Sequence, residues 1–342
     1  MKANGIEYFV SDTHAILYGS PRPKYGVHAP IVCPNGVAVF ARDVDTSRQV
    51  WSAETGYPGN EVYREFYRDI GWDAPLEYLL PHLHADGGRR HLGLKYHRIS
   101  LKGTPQDRKL PYIPAFARQQ ASEDASHFIN QRIDQAKKLR KTFEGHPPLV
   151  VSPYDAELYG HWWYEGPQFL DFFFRKIHFD QDEIQCITPG DFLDSGLPIQ
   201  IQEPIASSWG EAGYYKVWIN EGNSWMYPYQ HDAERRMTEL ANRFLLRGDA
   251  PNEREEEMLA QLARELLLAQ SSDWAFQIYQ GTTVQYSTRR FESHIQRFDL
   301  IANMLESGEP DQEVFDEIAS RDNIFSEIDW RVYATADSRP GD

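Results

Sequence analysis

Two carboxylates, a histidine and two tryptophans crowd into the run Ser152-Pro153-Tyr154-Asp155-Ala156-Glu157-Leu158-Tyr159-Gly160-His161-Trp162-Trp163-Tyr164-Glu165-Gly166. A carboxyl beside apolar rings tends to hold its proton, and a protonated carboxyl is what a glycosidic general acid needs. Asp155 is the candidate for that role. The same residues also suit an ordinary helix start with Asp155 as N-cap. A second run, Ser207-Ser208-Trp209-Gly210-Glu211-Ala212-Gly213-Tyr214-Tyr215-Lys216-Val217-Trp218, sets two Trp and two Tyr among glycines. It reads either as an exposed stacking platform or as a turn whose rings pack inward. A third, Ser271-Ser272-Asp273-Trp274, follows an apolar helical stretch. Asp273 there is either a carboxylate for sugar hydroxyls or part of a helix C-terminus.

The aromatic content points the same way. Aromatics make up 13% of the chain, with nine Trp and 19 Tyr. Trp51, Trp72, Trp162, Trp163, Trp209, Trp218, Trp225 and Trp274 stand in polar surroundings. Flat rings with a polar edge suit the C–H faces of sugars, and core filling is the alternative for each.

The elements that must position these groups are read from periodicity. Residues 6–10 and 30–42 read as short strands around the Pro34-Asn35-Gly36 turn, and 61–70 as a helix capped by Asn60. Residues 82–118 read as irregular, with a strand at 92–99. Residues 122–144 carry Phe128, Ile129, Ile133, Ala136, Leu139 and Phe143 at helical spacing. A buried strand at 149–151 follows, then a helix at 166–178, a strand near 184–187, a helix start at Thr188-Pro189 and Ile199-Gln200-Ile201. That alternation predicts parallel α/β structure, the end of an α/β barrel. From 229 onward four helices are predicted, at 229–247, 252–270, 284–307 and 311–320.

Composition bounds the rest. A chain of 342 residues with 41% hydrophobic and 25% charged content is globular and has room for about two domains. Lys+Arg is 35 against 51 Asp+Glu, a formal charge of −16, which repels nucleic acid. No run of about 18 apolar residues marks a membrane span, and the N-terminus has no apolar signal core. Two cysteines, Cys33 and Cys186, fit a reducing, cytoplasmic setting and exclude a cysteine-rich zinc module.

Taken together, DTHAILYGSPRPKYGVHAP (12–30), GVAVFARD (36–43), VWSAETGYPGNEVYREFYRDIGWD (50–73), SPYDAELYGHWWYEG (152–166), SSWG with VWIN (207–220) and LLLAQSSDW (266–274) resemble glycoside hydrolase family 57. Within it they resemble the 1,4-α-glucan branching enzymes, in family order over most of the chain. The resemblance implies a retaining mechanism with Asp155 as general acid/base and a Glu in a Glu-Cys-(Ala/Gly) motif as nucleophile, the two about 5 Å apart. It implies an α-1,4-glucan substrate of the amylose or glycogen type, transfer to a glucan 6-hydroxyl, and no metal or organic cofactor. Arg42, Gly59, Trp209 and Asp273 lie in segments resembling the family's substrate contacts, and Trp51 and Trp218 read as subsite platforms. His14 is either a site residue or a turn histidine. His82, His84 and Asp86 alternate as metal ligands can, but Gly87-Gly88-Arg89-Arg90 suits a loop better.

No Glu-Cys pair occurs in the sequence. The expectation is therefore an α/β fold: an incomplete (β/α)7-type barrel with a small β-containing insertion (1–45), the C-terminal part of the barrel with the general-acid motif (46–205) and a helical C-terminal domain (206–342). This would be an N-terminally truncated branching enzyme, missing an N-terminal fragment and inactive by itself. The competing readings are a non-catalytic α-glucan-binding protein, an α-amylase or 4-α-glucanotransferase of the same family, and a metal-dependent hydrolase of acetylated sugars.

Overall fold

The computed structural model describes residues 1–52, 55–143 and 145–335. The chain divides into two compact units, Met1–Ser207 and Ser208–Asp342.

In the first unit a four-stranded sheet has the order β1-β3-β2-β4. It comprises β1 (Tyr8–Ser11), β2 (Ile31–Val32), β3 (Ala38–Ala41) and β4 (Gln200–Ile201). β1 runs parallel to β3, with Tyr8 opposite Ala38 and Ser11 opposite Ala41. β2 is antiparallel to β3, and β4 runs parallel to β2 with Ile31 opposite Gln200. All four residues of β3 are buried, because it lies between two neighbours. The sheet thus joins segments of the first 45 residues to residue 200.

Short helices follow the strand ends: α1 (Thr13–Leu17) after β1 and α2 (Val44–Trp51) after β3. Asp12 caps the first through the Thr13 N–H and Asp43 caps the second through the Thr46 N–H. Two single turns, α3 (Ile70–Asp73) and α4 (Leu76–Leu79), precede the long α5 (Pro114–Thr142). α5 packs on α6 (Gly166–Phe179). Phe128 meets Phe169 and Phe173 edge-on at 6.0 and 5.7 Å, beside the buried Ala117, Ala121 and Ala125. α7 (Pro189–Asp194) is capped by Thr188, and its Phe192 contacts Phe40 of β3.

Several sequence expectations are corrected. α5 starts at Pro114 rather than near Ser122, since proline at the first helical position needs no hydrogen-bond acceptor; Glu144, its expected last residue, lies outside the described residues. Residues 61–70 are not a helix. Tyr63 is pulled inward to Asp124, with its hydroxyl 2.5 Å from Oδ2, and 63–65 pair irregularly with 97–99. The strand at 92–99 reduces to isolated bridges at His97 and Arg98. Among the described residues, 149–151 form no ladder; the Leu149 N–H to His28 O and Asp43 N–H to Val151 O bonds tether them. Near 184–187 the Gln181 side chain accepts the Glu183 and Ile184 N–H groups and turns the backbone away from extended pairing. The observed architecture is therefore mixed α/β and helix-rich with one small sheet. The repeated parallel ladder of a partial (β/α)7-type barrel is not seen among the described residues.

The second unit is helical, as expected. It contains α8 (Met226–Leu246), α9 (Glu253–Ala269), α10 (Ser272–Gln280), α11 (Val284–Ser307) and α12 (Gln312–Arg321). Its core gathers Met237, Leu240, Leu259, Leu262, Leu266, Phe291, Phe298 and Ile301 from facing stripes. Asn252 and Glu255 form a reciprocal capping box at the start of α9. Arg236 of α8 clamps α11 through Asp299 at 2.7 Å and Glu306 at 3.1 Å. No described helix is long and apolar enough to cross a membrane.

Candidate active site

Asp155 follows the tethered segment 149–151 and occupies the N-cap position of the 3-10 turn Ala156–Leu158. Its side chain makes no capping bond there, so the helix-start reading does not account for it. The loop is fixed on either side instead. Tyr154 donates its hydroxyl to Thr46 O at 3.0 Å, and Trp163 is buried against Tyr63 and Phe169 at 5.6 and 5.0 Å. Backbone bonds from Trp163 N–H to Leu158 O and from Gly160 N–H to Trp163 O close the turn, with Gly160 at φ 106° where a side chain would be strained. The result is an exposed Asp155 and an exposed His161 on a braced loop, with Trp162 half-buried. The expected apolar cover over Asp155 is not found.

The carboxyl that does meet apolar surroundings is Glu165. It is fully buried, and burial pushes its pKa up against the pull of the Tyr112 hydroxyl and of the Arg64 N–H 3.2 Å away. Those partners come from 50 to 100 residues upstream, so the sequence carried no sign of the effect.

The remaining expected residues of the first unit fall as follows. Arg42, at the end of β3, turns its guanidinium fork onto Asp12, at the end of β1, with bonds of 2.9 and 2.8 Å. His14 is half-buried in α1. Trp51 ends α2 and is exposed. Gly59 closes the 3-10 turn Tyr57–Gly59 and forms part of a cavity wall together with Trp162.

In the second unit, Trp209 and Trp218 are brought together. Both are half-buried, and the Trp218 indole N–H donates to Trp209 O at 2.6 Å. Trp218 lies against Phe276 of α10 at 6.3 Å, and Asp273 stands exposed one turn earlier on that helix. Asp273 accepts the Ser271 hydroxyl at 3.0 Å and belongs to a helix start, not a helix end. The Trp209 loop is sharply bent. Gly210, Ala212, Gly213 and Tyr215 all have positive φ, and a side chain at Gly210 would crowd Val217 at 3.2 Å. Strain of this kind in non-glycine residues collects where a loop must present particular groups. Tyr214 and Tyr215 are exposed on it. The platform is thus semi-exposed, between the two readings of its sequence.

Asp86 is ion-paired with Arg90 and exposed, in keeping with the loop reading of His82, His84 and Asp86. The cluster of potential metal ligands in the described residues is instead Glu265, His294 and Asp322, all buried. Glu265 Oε2 and His294 Nδ1 are hydrogen-bonded at 2.7 Å, while Arg297 pairs with Asp322. Gln261 also donates to Glu265, so Gln261 and Arg297 tie the trio into the helical unit, while His294 Nε2 is buried without a hydrogen-bond partner.

Over nearly its whole length the chain is similar to family 57 glycoside hydrolases, and in particular to 1,4-alpha-glucan branching enzymes. Residues 229–333 match the family described as 1,4-alpha-glucan branching enzyme, C-terminal. The chain is 34% identical over 341 residues to the 1,4-alpha-glucan branching enzyme TK1436 of Thermococcus kodakarensis, covering 95% of this chain and 46% of that protein. The crystal structure of TK1436 in complex with glucose superposes with a TM-score of 0.76, 31% identity, 97% of this chain and 58% of that chain. The alpha-amylase AmyC of Thermotoga maritima gives a TM-score of 0.80 at 40% identity over 98% of this chain and 62% of that one. The GH57-type branching enzyme of Pyrococcus horikoshii gives 0.77 at 34% identity, covering 100% of this chain and 59% of that one. The chain spans about half the length of TK1436.

Proposed function

We propose that this chain takes part in α-1,4-glucan branching and supplies the general acid/base and part of the glucan-binding surface. The observation that carries the reading is Asp155. It is an exposed carboxylate on a loop braced by Tyr154 and Trp163, at a capping position whose capping bond it does not make. In the retaining reaction Asp155 protonates the glycosidic oxygen as a glutamate attacks the anomeric carbon. It then takes the proton from the 6-hydroxyl of a second glucan, which displaces the enzyme and leaves an α-1,6 branch. Trp209 and Trp218 hold glucose faces by stacking, and Asp273 accepts hydroxyl protons. Arg42, braced on Asp12, is a further proposed glucan contact. Two cysteines in 342 residues agree with a cytoplasmic setting.

The nucleophile is the separate part. Glu157 shares the loop of Asp155, and Glu165 is enclosed within the unit, so neither supplies the opposite face of the sugar ring. The expected outcome is that the 342-residue chain binds amylose but forms no branches, whereas a longer chain bearing a Glu-Cys segment branches it and loses that activity on Asp155→Asn. Iodine staining of amylose with debranching analysis of the product reads this. New α-1,6 linkages made by the short chain and abolished by Asp155→Asn would place the nucleophile within these residues. An unaffected Asp155→Asn variant of the longer chain would remove the general acid.

A further inference from the structure

A cavity of about 780 Å³ lies within the first unit, between residues 58–68, residues 99–109 and the Trp162-Trp163 pair. Part of its wall comes from a basic stretch of an acidic chain. Residues 87–112 hold seven Lys and Arg against one Asp, in a protein of formal charge −16. Arg64, Arg68, Lys102 and Lys109 line the cavity, and Glu65 is the carboxylate among its lining residues. Two of these cations are compensated. Lys109 is held by Glu65 and the Ser100 hydroxyl, and Arg68 by Asp73 and the Gln106 amide oxygen. The other two have no carboxylate within ion-pair distance among the described residues. Arg64 lies over the Tyr164 ring at 3.6 Å, its Nε–H buried without an acceptor, and Lys102 is exposed. The enclosed Glu165 bonds the Arg64 backbone N–H rather than its guanidinium. Burial pushes the Glu165 pKa up, which reduces the charge it can offer.

The charge of the wall decides the ligand class. Arg64 and Lys102 are left over, so the wall is net positive and calls for an anion. A phosphate monoester carries about −1.5 to −2 charges at pH 7 and three acceptor oxygens, enough to answer both cations, whereas a carboxylate answers one. A guanidinium fork also fits phosphate oxygens well. A positive recess with low-dielectric walls concentrates anions even on an acidic molecule. The volume exceeds what a bare phosphate fills and lies in the range of small-ligand sites. The space beside the cations is bounded by flat rings: Phe66, the half-buried Trp162, and Tyr67, which is 74% exposed. We propose that this cavity binds a phosphate monoester of a small ring-bearing molecule, its phosphate between Arg64 and Lys102 and its ring against Tyr67 and Trp162. The site is independent of the α-glucan reading.

The test is calorimetric titration of the full 342-residue chain with glucose 6-phosphate, AMP and inorganic phosphate. Glucose, adenosine and gluconate serve as uncharged and singly charged controls. Lys102→Glu and Tyr67→Ala replace exposed side chains of the wall, so the fold stays intact. Lys141→Glu makes the same charge change at an exposed lysine outside the cavity. The expected result is that a monoester binds and the controls bind far more weakly. Lys102→Glu should weaken the monoester about ten-fold, while Lys141→Glu changes it by less than about two-fold. Tyr67→Ala should weaken the monoester and leave inorganic phosphate unchanged. Tighter AMP makes the ring a purine and tighter glucose 6-phosphate makes it a sugar; either supports the site. Equal losses in Lys102→Glu and Lys141→Glu reduce the effect to overall charge and overturn the proposal. So does glucose or gluconate binding as tightly as glucose 6-phosphate, or inorganic phosphate binding as tightly as both monoesters. A wild type that binds neither monoester overturns it as well, and none of these outcomes bears on branching.

Discussion

Asp69 shows how much one side chain can organise in a segment without regular structure. Its carboxylate accepts N–H groups from Gly71, Leu92 and Gly93, each at 2.9 Å, and so fastens 69–73 to 91–94. Burial alone would raise its pKa, but these three bonds, with His91 nearby, hold it below the ordinary value. A depressed carboxylate contributes stability that is present above its unfolded pKa of about 3.9 and is lost as pH falls through the folded one. Asp69→Ala should therefore destabilise the chain by about 1–3 kcal/mol at pH 7. Urea titrations should show the gap from the wild type narrowing as the pH falls below the unfolded pKa. The candidate site was legible to a comparable depth. The sequence singled out Asp155, Trp209, Trp218 and Asp273 by residue type and spacing. It could not say that Asp155 would be exposed, that Glu165 would be the buried carboxyl, or that Arg42 would be taken by Asp12. The last two depend on partners at least 30 residues away.

Helices were more readable than strands: 6–10, 30–42 and 199–201 do contain strands, but 92–99, 149–151 and 184–187 form no ladder among the described residues, and the reason is locality. α11 carries its own apolar stripe and was expected at 284–307, where it lies. α9 announces its start with Asn252 and Glu255 three residues apart, and both halves of the box form. Asn252→Ala should lower stability by about 1 kcal/mol in thermal melts of the chain, whereas Asn252→Ser should retain most of it. A strand has no such internal evidence, because its hydrogen bonds lie with another segment. Leu149-Val150-Val151 has the residues of a buried strand and makes two backbone tethers in place of a ladder. The apolar residues in 61–70 look helical until Tyr63 is drawn to Asp124 of α5.

At the scale of the molecule, the helical unit owns a complete core, built by α8, α9, α11 and α12 with Trp330 sealing one end. Residues 208–342 expressed alone should fold into a helical, cooperatively melting species by circular dichroism and urea titration. A broad transition with no baseline would mean that this core needs the rest of the chain. The first unit is built on the opposite plan. Its sheet closes only when Ile31 meets Gln200 and Val32 meets Ile201. On a ribosome adding about 5–20 residues per second, β2 waits on the order of ten to thirty seconds for that neighbour. Until then the edge of β2 that will receive β4 is unsatisfied and open to pairing with other chains. The pairings of the helical unit span fewer residues, such as the 70 between Arg236 and Glu306, so its waits are shorter. The vulnerable interval in the life of this protein is thus its synthesis, and slowed translation between codons 32 and 200 should cost yield in a way that slowed translation beyond 208 does not.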